Sequence, residues 1–215
     1  MELPISSILK RRNELETAQL EDEVVGMLSG ITDKLALHGG TAVWRCYGGK
    51  RFSKDVDVYV WERDFREKFL ESAKRIGIEV LKFREKKLTY IHVRKGDTEI
   101  KIEPNNAEKV SILAPYERVD GSKINILVLS PEDLVTEKIK AYEDRRAYKD
   151  IYDITILLNR VKYAGRIKAI LSEFAKKIPF PDENFQSYSE FRSIIYAGTA
   201  PSYERMSEFI KRWLL

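Results

Sequence analysis

Apolar and polar positions along the chain follow two periods, one of about 3.6 residues and one of two, and the switches between them predict the order of elements. Leu15, Leu20, Val24, Val25 and Leu28 leave a stripe at helical spacing, with Gly30 as its stop. Leu35-Ala36-Leu37 reads as a short buried strand that ends at Gly39-Gly40. Residues 41–47 fit one or two helical turns closed by Gly48-Gly49. The period then becomes two, with Val56, Val58 and Val60 alternating against Asp55, Asp57 and Tyr59, which predicts a strand. Phe65, Phe69, Ala73 and Ile76 restore helical spacing as far as Gly77. Strand-like runs follow at 78–83, 88–93, 98–102, 110–113 and 124–129, with turn signals at Gly96-Asp97 and Asp120-Gly121.

From residue 130 the pattern is helical. Ser130-Pro131-Glu132-Asp133 starts a helix with an N-cap serine, a proline in the first position and acids in the first turn. A break near Arg146-Ala147 predicts a second helix over 148–159. Ile167, Ile170, Leu171 and Phe174 mark a third, and Pro179 and Pro181 separate it from helices expected over 184–196 and 203–215. The fold class is therefore α/β (α+β): a mixed sheet with flanking helices over 1–129, followed by a helical region over 130–215.

With 215 residues, 43% of them apolar, the chain can bury a real core. No run of about 18 apolar residues is present, so no membrane span is expected. The start, Met-Glu-Leu-Pro, lacks the regions of a signal peptide. Cys46 has no partner for an intramolecular disulfide, which points to a reducing cytoplasm. His38 and His92 are too few and too far apart for a zinc site. A net charge of +4, with basic clusters at Lys10-Arg11-Arg12 and Lys86-Lys87, permits an acidic partner.

Candidate chemistry begins at Asp55 and Asp57. Side chains two apart on a strand share a face, roughly 7 Å apart, and two carboxylates so placed repel unless a positive charge joins them. Mg²⁺ suits such hard oxygen ligands. Ser53 has the same parity. Upstream, Gly39-Gly40 before a helix exposes backbone N–H groups that suit a phosphate. On the two helices after residue 130, Lys138 and Arg145 are two turns apart, and Lys149, Asp150 and Asp153 point roughly one way. Taken alone, such spacing describes surface ion pairs of roughly 0.3–0.5 kcal/mol each.

Gly39-Gly40-Thr41, followed by Arg51-Phe52-Ser53-Lys54-Asp55-Val56-Asp57, resembles the active-site signature of the AbiEii/AbiGii-type toxin nucleotidyltransferases, a branch of the polymerase-beta-like superfamily. Gly40-Thr41 stands where the wider superfamily has Gly-Ser. The order Lys138, Ala141, Arg145, Lys149-Asp150, Asp153 is similar to the second signature of that family.

This resemblance implies a nucleotidyltransferase fold and transfer of an NMP unit from an NTP to an acceptor hydroxyl, with Mg²⁺ or Mn²⁺ as cofactor. Asp55 and Asp57 would be the metal ligands, and Glu103 a third carboxylate on a neighbouring strand. Gly39, Gly40, Thr41 and Ser53 would hold phosphates, joined by Lys138 and Arg145 as cations. Lys138 and Asp153 would be catalytic, with Asp153 either orienting Lys138 or acting as a base on the acceptor; the division of roles between Asp150 and Asp153 stays open. The expected acceptor is the 3′ end of tRNA, guided by the basic clusters, and the expected setting a toxin–antitoxin or phage-defence system with a cognate antitoxin. Two alternatives stand beside it: a small-molecule acceptor of the antibiotic type, and a non-catalytic nucleotide-binding domain.

Overall fold

Among the residues described by the computed structural model, 3–85 and 89–215, seven strands form one mixed sheet. They are β1 (Leu35–His38), β2 (Asp55–Val60), β3 (Glu79–Arg84), β4 (Tyr90–Lys95), β5 (Thr98–Asn105), β6 (Ser111–Glu117) and β7 (Lys123–Leu129), in the order β3-β4-β5-β2-β1-β7-β6. β2 sits inside this sheet, antiparallel to β1 and parallel to β5. A parallel neighbour needs a crossover. Here α4 (Phe65–Arg75) and the strands β3 and β4 carry the chain from β2 to β5. The period-two reading of β2 holds: Val56, Val58 and Val60 are buried, while Asp55, Asp57 and Tyr59 lie on the half-buried face.

The chain divides into two compact units, one of Met1–Cys46 with Phe52–Leu129, the other of Tyr47–Arg51 with Ser130–Leu215. The first holds the sheet, the short α1 (Ile5–Ile8), α2 (Arg12–Ile31), most of α3 (Gly39–Tyr47), and α4. An internal ion cluster fastens α2: Asp22 accepts from Arg45 Nη2 at 2.7 Å, from the Tyr116 hydroxyl at 3.0 Å and from the Val119 N–H at 2.8 Å. One buried carboxylate thus ties α2 to α3, to β6 and to the turn after it. Lys10, Arg11 and Arg12 are exposed at the start of α2, where Arg11 pairs with Glu14 and Arg12 with Glu16. Lys86 and Lys87 lie outside the described residues.

The second unit is helical: α5 (Pro131–Arg145), α6 (Tyr148–Leu158), α7 (Lys168–Lys176), α8 (Tyr188–Ser193) and α9 (Tyr203–Trp213), with a 3₁₀ turn at Ala164–Arg166. Ser130 caps α5 by accepting from the Asp133 N–H, and Arg146 ends it in the left-handed region at φ 49°. Leu134, Val135, Ile139 and Tyr142 of α5 and Ile151, Ile154 and Leu157 of α6 are buried. The helix expected over 184–196 is shorter. A capping box between Ser187 and Glu190 fixes its start, turns closing on the Asp182 carbonyl occupy the residues before it, and Ile195 bridges to Arg51 beyond it. Among the described residues no helix is long and apolar enough to cross a membrane.

Candidate functional site

The predicted residues fall into two groups, one in each unit. In the first unit Gly39 has φ +69°, the left-handed region open to glycine, and it starts α3 directly after β1. A β-carbon at Gly39 would run into the Asp57 carboxylate, with Asp57 Cγ only 2.7 Å away. The absent side chain therefore makes the space into which Asp57 packs, against the N-terminal end of α3. Thr41 is fully buried, and its hydroxyl donates to the Asp55 carbonyl at 2.7 Å, which sets α3 against β2. The hydroxyl expected to meet a phosphate is thus used inside the fold, and α3 offers backbone N–H groups instead. Ser53 is half-buried just before β2.

The sheet register places Asp55 beside Lys101 and Asp57 beside Glu103. Glu103 is therefore a direct lateral neighbour of the Asp-x-Asp strand. Its carboxylate pairs with the Lys101 ammonium. That hydrogen bond is the main cause that raises the Lys101 pKa, against the cost of burial, and the charges of Glu103, Asp55 and Asp57 add to it. Lys101 is the positive charge among these carboxylates that the sequence pattern does not announce. Among the described residues no group of three His, Cys, Asp or Glu side chains is arranged to hold a metal. A cleft of about 370 Å³ opens beside Asp55, bordered by Phe52, Lys54, His92 and Lys101 and by Asn13 and Thr17 of α2.

In the second unit the expected surface ion pairs are buried. Asp150 and Asp153 are 0% exposed and Lys138 is 6% exposed. Asp153 receives both Nε and Nη2 of Arg51 at 2.6 Å and the Lys138 ammonium at 2.7 Å. Asp150 receives Nε and Nη2 of Arg145 at 2.7 and 2.8 Å, with the Lys138 ammonium 3.5 Å away. Burial alone would push the Asp150 carboxyl up, but the hydrogen bonds of Arg145 and the charges of Lys138 and Arg51 outweigh it and hold it below the usual carboxylate range.

Arg51 stands in the first signature, yet nothing in its spacing announces a partner 102 residues away. The segment that carries it is tied down on both sides. The Lys50 N–H donates to the Tyr152 hydroxyl at 3.0 Å, and the Tyr196 N–H donates to the Lys50 carbonyl at 3.1 Å.

The Gly39 geometry carries a prediction. Gly39→Ala should destabilise the protein by roughly 1–3 kcal/mol, from the strained φ together with the displaced Asp57 carboxylate. Gly26→Ala is the control: no atom lies within 4 Å of the added carbon, so α2 should become about 0.5–1 kcal/mol more stable. Chemical denaturation of both variants checks the contrast; equal effects would remove the special role of Gly39.

A family model described as the nucleotidyl transferase AbiEii toxin of type IV toxin–antitoxin systems matches residues 25–196. Among solved structures, the fold is similar to MenT4, a nucleotidyltransferase toxin from Mycobacterium tuberculosis, with TM-score 0.65 and 15% identity over 99% of this chain and 89% of that one. JHP933 from Helicobacter pylori gives TM-score 0.60 and 18% identity over 95% of this chain and 91% of that one. The antibiotic-resistance factor ANT(2″)-Ia gives TM-score 0.50 and 15% identity over 75% of this chain and 92% of its own. No curated protein matches the sequence.

Proposed function

We propose, for a chain that belongs to the AbiEii family of nucleotidyl transferase toxins, that its reaction is transfer of an NMP unit from an NTP to the 3′ end of tRNA, dependent on a divalent metal. The observation that carries this reading is the packing of Asp57 into the space left by Gly39, on the same face of β2 as Asp55. It supports a site in which carboxylates and helix N–H groups are neighbours, as a metal-bound polyphosphate requires.

The donor set fits Mg²⁺, being all carboxylate oxygen: Asp55 and Asp57, with Glu103 in register beside Asp57. Mg²⁺ bound there would withdraw charge from phosphate oxygens and make a hydroxyl easier to deprotonate. Before metal binds, Lys101 balances part of the carboxylate charge, and the Lys101–Glu103 pair must loosen if Glu103 is to serve as a ligand. Gly39, Gly40 and Thr41 would hold phosphate through backbone N–H groups, with Ser53 as a hydroxyl donor. Lys138 has three ammonium protons, so it can keep Asp153 and still donate to a phosphate. Arg145 keeps Asp150 in place through its fork. Of the two roles open to Asp153, the burial and the paired cations favour orienting Lys138 over acting as a base on the acceptor.

The type IV toxin–antitoxin description of the family implies a cognate antitoxin. The test of the acceptor is direct. The purified chain is incubated with each labelled NTP in turn, Mg²⁺ and total tRNA, alongside an aminoglycoside as competing acceptor. Label is expected at the tRNA 3′ end, lost with EDTA and falling steeply as salt rises, because phosphate contacts release counterions. Label on the aminoglycoside, or none on tRNA with any NTP, would overturn the assignment.

A further inference from the structure

The ion cluster of the second unit carries more positive charge than its carboxylates balance. Arg51, Lys138, Arg145 and Lys149 surround Asp150 and Asp153. Each carboxylate is already engaged: Asp153 by the fork of Arg51 and by Lys138, Asp150 by the fork of Arg145. The Lys149 ammonium has no hydrogen-bond or ion-pair partner among the described residues; its backbone N–H donates to Gln186 Oε1 at 3.0 Å. Lys149 is half-buried, so its charge has lost part of its hydration without a partner to replace it. Burial lowers its pKa first, then the charges of Arg145 and Arg51, with Lys138 adding to them and Asp150 opposing.

A cation kept in that position is unfavourable until an anion completes the set. One further observation shows what borders it. Next to Gln186, the Phe185 ring is 53% exposed, with the Arg145 guanidinium 5.7 Å from its centroid. An exposed ring with a cation beside it suits a planar, electron-rich group such as a nucleobase.

We infer that Lys149 is a binding residue for a condensed phosphate anion, the di- or triphosphate portion of the nucleotide. Lys138 and Arg145, the cations expected there from sequence, are held by Asp153 and Asp150, and Lys149 is the one whose charge is left for the ligand. Identifying the anion as nucleotide phosphate rests on the transferase reading above; binding of the anion itself does not.

The experiment is calorimetric titration of the full chain with inorganic tripolyphosphate, in EDTA and without NTP, which keeps Asp55 and Asp57 out of the measurement. Wild type should bind. Lys149→Gln should weaken binding roughly 10- to 100-fold, the effect of one charge-assisted hydrogen bond. Lys149→Arg should retain most of it, and Lys176→Gln, an exposed lysine paired with Glu173, should leave it unchanged. Without anion, Lys149→Gln should unfold at the same temperature as wild type or higher, since it removes an unbalanced cation. Wild-type affinity in Lys149→Gln, or no binding by wild type, would overturn the inference. If tripolyphosphate binding depends on Lys149 while no NTP is transferred, the anion site stands and the transferase reading falls. If transfer is normal and tripolyphosphate binding is indifferent to Lys149, the anion site falls and the transferase reading stands.

Discussion

Asp57→Asn is expected to reduce Mg²⁺-dependent nucleotide transfer by about 100-fold or more while leaving the unfolding temperature close to that of wild type. The amide has almost the shape of the carboxylate, so it still fits the space that Gly39 leaves and still sits in register between His38 of β1 and Glu103 of β5. What disappears is one negative charge on a face that also carries Asp55 and Glu103. For the apo fold this loss relieves repulsion, because Lys101 then balances fewer carboxylates. For a metal it removes a charged oxygen ligand, and raising Mg²⁺ should recover part of the rate. Single-turnover transfer measured across a Mg²⁺ series, together with a thermal melt, separates the two effects. Wild-type turnover in Asp57→Asn would take Asp57 out of the site; loss of activity together with the fold would make its role structural.

The parts of this fold and site that are legible in the sequence are those set by neighbours within a few residues. The alternation of Val56, Val58 and Val60 with Asp55 and Asp57 already states which face of β2 is buried. Ser130-Pro131 states where α5 begins, because a cap and a missing N–H act within one turn. The neighbour of Asp57 is less accessible. That Glu103 lies beside it follows from β5 running parallel to β2, and a parallel pairing depends on a whole crossover rather than on local period. Lys101 reads as one residue of an alternating charged strand, yet the same pairing makes it the counter-charge of Asp55. Arg51 is the strongest case. Its immediate sequence suggests a loop before a strand, and its partner Asp153 comes from a helix that follows all seven strands in the chain. The helix expected over 184–196 exceeds the observed α8 for the converse reason: helical composition does not record that Ile195 is committed to a bridge with Arg51.

Asp153→Asn should be the most destabilising of the charge changes in the second unit, by about 3–5 kcal/mol, the range for removing one partner of a buried ion pair. The spacing of Lys138, Lys149 and Asp153 alone predicts small effects on stability, as for surface pairs. Burial changes that expectation: Asp153 is 0% exposed and faces two cations, Arg51 and Lys138, both themselves buried. A neutral amide there cannot balance them, and one of its two polar ends presents N–H groups to donors. Lys138→Ala should cost less, because Arg51 still holds both oxygens of Asp153 and Arg145 still holds both of Asp150. The two variants therefore separate stability from chemistry. Lys138→Ala should retain a cooperative melt and lose transfer, whereas Asp153→Asn should lose both. Adding Arg51→Met to Asp153→Asn removes one of the stranded cations, so it should restore part of the stability without restoring transfer. Denaturant unfolding of wild type and these variants gives the order. If Asp153→Asn unfolds within about 1 kcal/mol of wild type, the limit for an exposed pair, the buried cluster is not what fixes Lys138, and the role given to Asp153 fails with it.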